Sequence, residues 1–451
     1  MDVTLITTHR CNLACEYCYA GEHHRNEMDD ETMEQALDLL YADGANSAQL
    51  SFFGGEPFLT FERIAKAIAG AQERAEFLGR GLTLQCTTNG TLLNKKQLDL
   101  ILHSGMQVTI SLDGVQEAHD LTRRRAGGGS SFDSVYAGLR LLLDSGLSPS
   151  VLMVLTPETA PFLFRSVRWL WEEGVEDVRL NLSHGAKWSK EAKDTLKKEL
   201  VAVGRELLFR RLRGETVAVD AIDAALHKSA CGGERGKKTL QVVVGTSGNL
   251  YPCAPMVGED RDNGPEARLR LGHLQDSPEQ IVSRVRGDGA GCGDGGACAC
   301  ASYLETGDRE TAGPNGLWFH RVSVEVSMAV QAGLDSATHQ DPAPKSRRRL
   351  LQSLLVGAAG LAVAGGLVAA LLPRSTPPSA PASCPSPQSV TPERVVPPAV
   401  ISAPTSTPVP RIPAGKMMRP VVKGDMKAPP IPAEEAPRLK LRGKLARPKN
   451  L

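Results

Sequence analysis

The chain has 451 residues, enough for one large domain or two ordinary ones with further segments attached. A formal net charge of +1 and a hydrophobic fraction of 41% give no bulk signal for nucleic acid or for an acidic ligand. Ten cysteines behind an opening "MDVTLITT" that lacks a signal-peptide pattern argue against a small secreted disulfide scaffold. Eight of the ten fall in two groups, Cys11/Cys15/Cys18 and Cys231/Cys253/Cys292/Cys298/Cys300, which favours metal ligation in a reducing compartment.

In chain order, "VTLIT", "AQLSFF", "LTLQCT", "QVTISL", "PSVLMVL" and "VEDVRLNL" read as strands. Between them, "DDETMEQALDLLYADG", "FERIAKAIAGAQERAEFLG" and "FDSVYAGLRLLLDSG" repeat apolar residues at helical spacing and close on glycine. Six such units predict an α/β fold with a parallel sheet, either doubly wound or a partial barrel. Both arrangements put the working site at the carboxyl ends of the strands.

A further helix is predicted over "EAKDTLKKELVAVGRELLFRRLR", a Gly- and Cys-rich region over 229–306, and a weakly patterned linker over 307–349. Residues 350–372, "LLQSLLVGAAGLAVAGGLVAALL", have the length and apolarity of a membrane-spanning helix. "KSRRR" just before them puts the N-terminal side in the cytoplasm by the positive-inside rule, which predicts a single-pass membrane protein with its tail outside. A buried core helix and a twin-arginine-like signal are the alternatives for this stretch. Residues 373–451 are Pro-rich and then basic, and are expected to stay disordered.

The C-x3-C-x2-C loop after the first strand supplies three thiolates, one fewer than a closed four-ligand site. It suits zinc with a fourth ligand from elsewhere, such as His23 or His24, or three irons of a 4Fe–4S cluster with one iron left open. Three more motifs end later strands: Gly54–Gly55–Glu56–Pro57, "TTNGT" around Asn89, and "SLDG" from Ser111. Two glycines allow close backbone approach, and Glu56 offers a carboxylate for an ammonium group. All of these converge on one rim of the predicted fold.

The loop, with Tyr17 just before its third cysteine, and the motifs that follow resemble the radical SAM superfamily over roughly residues 3–185. The resemblance implies a partial (βα)6 TIM-like barrel, with Cys11, Cys15 and Cys18 on a 4Fe–4S cluster and S-adenosylmethionine (SAM) on the fourth iron. It implies that Gly54, Gly55, Glu56 and Pro57 receive the methionyl ammonium, and that Asn89 and Ser111 lie at the same cofactor site. Arg123 is the implied carboxylate contact, with Arg124 and Arg125 as rivals; His119 and Asp120 fit the pattern and are open to a structural role. "SLDG…EAHD" resembles the subgroup that matures peptides and sulfatases.

Cys231, then Gly248 and Cys253, resemble the opening of a SPASM or twitch domain, an auxiliary iron–sulfur module. Gly289 and Ser302 stand where a full SPASM domain has cysteines, so one auxiliary 4Fe–4S cluster is implied, on Cys231, Cys253 and two of Cys292, Cys298 and Cys300. Zinc is the alternative there. Where many sulfatase-maturing relatives carry an aspartate, this chain has Ala254. The implied domains are a radical SAM core over 1–215, an auxiliary module over 229–306, the linker, the span and the tail. The implied activity is modification of a peptide or protein side chain, with electrons from a low-potential flavodoxin- or ferredoxin-like donor and no nucleic-acid partner. The competing readings are a small-molecule twitch-type dehydrogenase and a non-catalytic membrane-bound metal-binding protein.

Overall fold

The computed structural model describes residues 1–21, 26–224, 240–261, 264–288 and 298–339, all within one compact unit. Strand β1 (Asp2–Thr8) leads through the cysteine loop, which holds β2 (Leu13–Cys15), to α1 (Asp30–Leu37). There follow β3 (Ser47–Gly54), α2 (Phe61–Leu78), β4 (Gly81–Thr88), α3 (Lys95–Ser104), β5 (Gln107–Ser111) and α4 (Gln116–Thr122). The chain continues with β6 (Arg123–Arg125), α5 (Phe132–Asp144), β7 (Ser150–Leu155), α6 (Leu163–Glu172), β8 (Asp177–Leu182) and α7 (Lys190–Leu212).

Strands β1, β3, β4, β5, β7 and β8 lie side by side in that order, every pair parallel. They are the six predicted strands, so the α/β class with a large parallel sheet stands. Successive residues of a strand face opposite ways. One face carries Val3, Leu5, Leu50, Phe52, Leu84, Val108, Ile110, Val151 and Met153, all buried in the main hydrophobic core. The other face turns Gln49, Ser51, Gln85, Thr87 and Ser111 toward cavities. A sheet sandwiched between two helix layers would bury apolar side chains on both faces. The half-polar alternation here fits a sheet with helices on one side and an open, ligand-sized space on the other.

Past α7 come β9 (Ala218–Val219), α8 (Asp220–Asp223), β10 (Gln241–Val244), β11 (Asn249–Tyr251), β12 (Gly272–His273), α9 (Pro278–Gly287), α10 (Ala299–Thr306) and α11 (Pro314–His339). The Gly- and Cys-rich region, expected to be irregular, in fact extends the sheet. β10 pairs parallel with the free side of β1 (Asp2 opposite Gln241), and β11 and β12 add antiparallel strands beyond it. Buried Asp260 holds this hairpin, accepting from Ser247 N (2.9 Å), Asn249 Nδ2 (3.0 Å) and Tyr251 Oη (2.7 Å). The weakly patterned linker contains α11, whose buried Val322, Val326 and Val330 recur every four residues and face α7. Gly204 of α7 makes this crossing close, because a Cβ there would stand 2.4 Å from Val326 Cγ1.

The expectation of a single-pass membrane protein is corrected. Among the described residues no helix is long and apolar enough to cross a membrane. The two longest, α7 and α11, each bury one stripe against the other and carry charged residues elsewhere, as amphipathic packing helices do. The apolar run 350–372 and the Pro-rich tail lie outside the described residues.

Gly138 of α5 gives a test of this packing. A Cβ there would stand 2.3 Å from the carbonyl oxygen of Gly90, in the loop that carries Asn89. Gly to Ala inside a helix ordinarily stabilises by about 1 kcal/mol. Here overpacking, about 1–3 kcal/mol, wins, and Gly138→Ala should lower the urea midpoint of the full chain.

Candidate active site

The cysteine loop is fixed first by backbone. Gly54 (φ +136°) and Gly55 end β3 against the exit of β1; a Cβ on Gly55 would stand 2.1 Å from Arg10 O, and one on Gly54 2.5 Å from Thr8 O. Gly55 N donates to Thr8 O and Glu56 N to Arg10 O, both at 2.8 Å. The two glycines thus let the chain reach Cys11 at all. Downstream, β2 pairs antiparallel with β6, which puts Cys15 opposite Arg123.

Glu56 is fully buried. Its carboxylate accepts from Thr88 Oγ1 (2.7 Å), Asn89 N (2.8 Å) and Phe58 N (3.1 Å), and so joins the ends of β3 and β4. Burial pushes its carboxyl pKa up, and those three hydrogen bonds pull it back. Asn89 then reaches the cysteine loop: its Nδ2 donates to Asn12 Oδ1 at 2.8 Å and lies 3.8 Å from Cys11 Sγ.

A second group closes the other side. Asp113, buried at the end of β5, accepts from Tyr17 Oη (2.5 Å), Thr122 Oγ1 (3.0 Å) and Val154 N (2.8 Å), and pairs with Arg123 Nε at 3.0 Å. The Arg123 guanidinium lies over the Tyr17 ring, 5.2 Å from its centroid, and its Nη1 is 3.9 Å from Cys15 Sγ. His119 is a strut beneath this group. Its Nδ1 accepts from Asp113 N (3.3 Å), so Nε2 carries the proton and donates to Ser131 Oγ (2.9 Å), which donates to Arg123 O (2.7 Å). Burial drives the His119 pKa down to about 4 and keeps the ring neutral.

Both described cysteine groups open on one cavity of about 940 Å³. Cys11, Cys15, Cys18, Tyr17, Gly54, Gly55, Asn89, Ser111 and Arg123 line it, as do Cys253, Cys298 and Cys300. Glu56 and Pro57 sit behind the wall rather than in it. Arg124 and Arg125 are exposed outside it, so the structure separates Arg123 from its two neighbours. Asp120 is outside it too, accepting from Ser130 Oγ at 2.9 Å. Cys231, Cys292, His23 and His24 lie outside the described residues.

The six described site cysteines are free thiols. Burial pushes the Cys11 thiol up to about 12; it also raises Cys15, which the Arg123 charge pulls back. Cys253 and Cys298 occupy the N-cap positions of a short 3-10 turn and of α10, and Cys300 is in the first turn of α10. Backbone N–H groups at the start of α10 pull the Cys298 thiol down, but its contact with Cys300 and burial outweigh them and raise it. Cys300 lies in hydrogen-bonding reach of both Cys253 and Cys298, and bonding to Cys253 is the largest cause raising its thiol.

Among the described residues no three His, Cys, Asp or Glu side chains converge on a single metal ion. Free thiols on one wall, with N–H donors beside Cys11 and Cys15, fit a thiolate-ligated cluster with hydrogen-bonded sulfurs.

Residues 5–160 match the radical SAM superfamily. The matched stretch runs from within β1 to just past β7. A cysteine-type anaerobic sulfatase-maturating enzyme of Clostridium perfringens is 25% identical over 285 residues, 59% of this chain and 75% of that protein. An uncharacterised protein of Methanocaldococcus jannaschii is 32% identical over 179 residues; the match spans 40% of this chain and 61% of that protein's length. The solved structure described as native anSMEcpe with bound AdoMet aligns with TM-score 0.61 and 19% identity over 75% of this chain and all of that one, which shows a shared fold.

Sequence reasoning gave Asp113 no role, although it quoted the motif that contains it, and did not find His184 or Glu305. A carboxylate ending a strand within a motif was the available signal for the first. The second pair is 121 residues apart in the chain and gave none.

Two outcomes follow from the buried charges. Asp113→Asn leaves the Arg123 charge unpaired and should cost about 3–5 kcal/mol in urea unfolding. For His119, the unfolded ring titrates near 6.5 and the folded one near 4. The unfolded chain therefore binds the proton first, and stability present above pH 6.5 is lost on acidification toward pH 4, by ~3 kcal/mol. His119→Asn should flatten that part of the stability–pH curve.

Proposed function

We propose that this chain is a radical SAM enzyme that modifies a peptide or protein side chain. One observation carries the reading: the loop cysteines Cys11, Cys15 and Cys18 share a single cavity with Cys253, Cys298 and Cys300. A three-cysteine cluster site beside a second cysteine group, around one substrate-sized space, is what a reaction needs when hydrogen removal and electron acceptance occur at one substrate.

Cys11, Cys15 and Cys18 would hold a 4Fe–4S cluster with one iron open to SAM. Cys253, Cys298 and Cys300, with Cys231 or Cys292, would supply ligands for one auxiliary cluster. Bound there, cluster and SAM would supply a 5′-deoxyadenosyl radical able to take a hydrogen atom from a substrate carbon.

The protein's share is positioning and exclusion of water. Arg123, held by Asp113 beside Cys15, presents fixed positive charge for a carboxylate. The Glu56 oxygens are already engaged, so the backbone of Gly54 and Gly55, which lines the cavity, is the seat for an ammonium group. Phe53, Leu152, Val154, Leu182 and Phe319 give the space an apolar wall. A solved relative holds both AdoMet and the Cp18Cys peptide, which supports a peptide as the substrate class. An electron donor of low potential, flavodoxin- or ferredoxin-like, completes the requirement.

The test is anaerobic reconstitution of the full chain with iron and sulfide, followed by dithionite and SAM. The wild type should release 5′-deoxyadenosine and carry roughly eight irons for two clusters. Cys15→Ala should lose at least about 100-fold of that release and roughly four irons. Equal rates in the two proteins would sink the proposal.

A further inference from the structure

Ala254 follows Cys253 on the cavity wall and has no titratable group, so any proton taken from the substrate must go elsewhere. Of the other titratable groups on that wall, Tyr17 and Asp220 are already engaged. Tyr17 donates to Asp113. Asp220 accepts from Leu180 N (2.8 Å) and Ala221 N (2.6 Å). Glu158 is exposed at the rim, and His320 sits nearly two helical turns into α11.

His184, just past β8, is held differently. Its Nδ1 lies 2.9 Å from Glu305 Oε1 at the far end of α10. Glu305 is itself fixed at the start of α11: Asn315 N donates to Oε2 at 2.8 Å and Gly316 N to Oε1 at 2.7 Å. The Glu305 side chain is 2% exposed, and a Cβ on Gly313 would stand 2.6 Å from its carboxyl carbon. Glycine at that position is therefore what admits the carboxylate to the helix end. Two backbone N–H donors at the positive end of a 26-residue helix suit an ionised carboxylate. An ionised carboxylate only accepts, so Nδ1 carries the hydrogen toward Glu305, and in the neutral ring Nε2 keeps its lone pair. No hydrogen-bond partner meets Nε2 among the described residues, and His184 lines the cavity. Ser323 Oγ, buried and without a partner, lines the same wall and marks a second polar point awaiting a ligand.

We propose that His184, oriented by Glu305, is the proton acceptor of this cavity and takes a proton from a thiol or hydroxyl of the bound substrate. The S–H or O–H bond breaks, the proton forms an N–H bond at Nε2, and the electron pair stays on the substrate heteroatom. Glu305 is the positioning residue. The inference deepens the peptide-modifying reading and rests on it.

The test uses the full chain. In nitrogen-15 spectra of histidine-labelled protein, His184 should show the tautomer protonated at Nδ1. Glu305→Ala should move it toward Nε2–H, with Glu305→Gln as the second variant should the first not fold. Diethyl pyrocarbonate should modify His184 at Nε2, as mapped by mass spectrometry. An Nε2–H tautomer in the wild type, or an unreactive His184, overturns the assignment. With the Cp18Cys peptide as probe, His184→Gln keeps a donor to Glu305 but no basic nitrogen. It should lower product formation by about 10²–10⁴-fold. A comparable loss in Asp220→Asn, with His184→Gln active, would give the role to Asp220 and overturn the proposal. Wild-type protein that cleaves no SAM would instead sink the functional reading and leave the tautomer measurement standing.

Discussion

The buried pair of Asp113 and Arg123 is the constraint on which the site depends. Four separate pieces of chain end on it: the cysteine loop through Tyr17, the helix end through Thr122, β7 through Val154, and β6 through Arg123 itself. A buried ion pair is seldom a net source of stability, since desolvation offsets most of the attraction. Its value is geometric. It holds one positive charge at the edge of a cavity and beside a cysteine sulfur, where an exposed arginine would be screened and mobile. The neutral His119 underneath avoids a second buried positive charge next to the guanidinium, and so its depressed pKa is part of the same design.

Close backbone contacts do the complementary work. Gly54 and Gly55 look in sequence like a place for a ligand to approach the main chain. In the structure they first let two segments of this chain approach each other, at Thr8 and Arg10. Gly138 does the same under the Asn89 loop, and Gly313 does it beside Glu305. A substitution at any of these would shift a loop whose side chains face the cavity, so their demand for glycine comes from packing before it comes from binding.

Much of the fold was legible because local pattern and tertiary role agree. β3, β4, β7 and β8 alternate in burial along most of their length, and the polar residues of "AQLSFF" and "LTLQCT" already distinguish a one-sided sheet from a doubly wound one, a signal the sequence reading left unresolved. The cysteine loop was legible because its ligands are adjacent in sequence. What escaped notice depends on contacts between distant segments. β10 is only four residues long and is a strand because β1 offers it an edge. α11 contains glycines and serines that weaken its helical pattern, yet Gly204 and Gly333 are what bring it close to α7. The membrane expectation came from an apolar run and its basic flank, without packing context. Glu56 was read as a ligand from its neighbours in sequence, while its burial is set by β4.

The second cysteine group and the proton acceptor are mechanically one element. Cys300 opens α10 and Glu305 closes it, five residues apart, which is about 7.5 Å of helix rise. At one end the helix presents sulfur to the cavity, and at the other it fixes a histidine that the sheet supplies from just past β8. A rigid helix cannot move one end without the other, so whatever occupies Cys298 and Cys300 also sets where His184 stands. That linkage gives the cavity a reason to be built between two cysteine groups. The space is bounded by one site at the ends of the parallel strands and one on α10, and its geometry is complete only when both are in place.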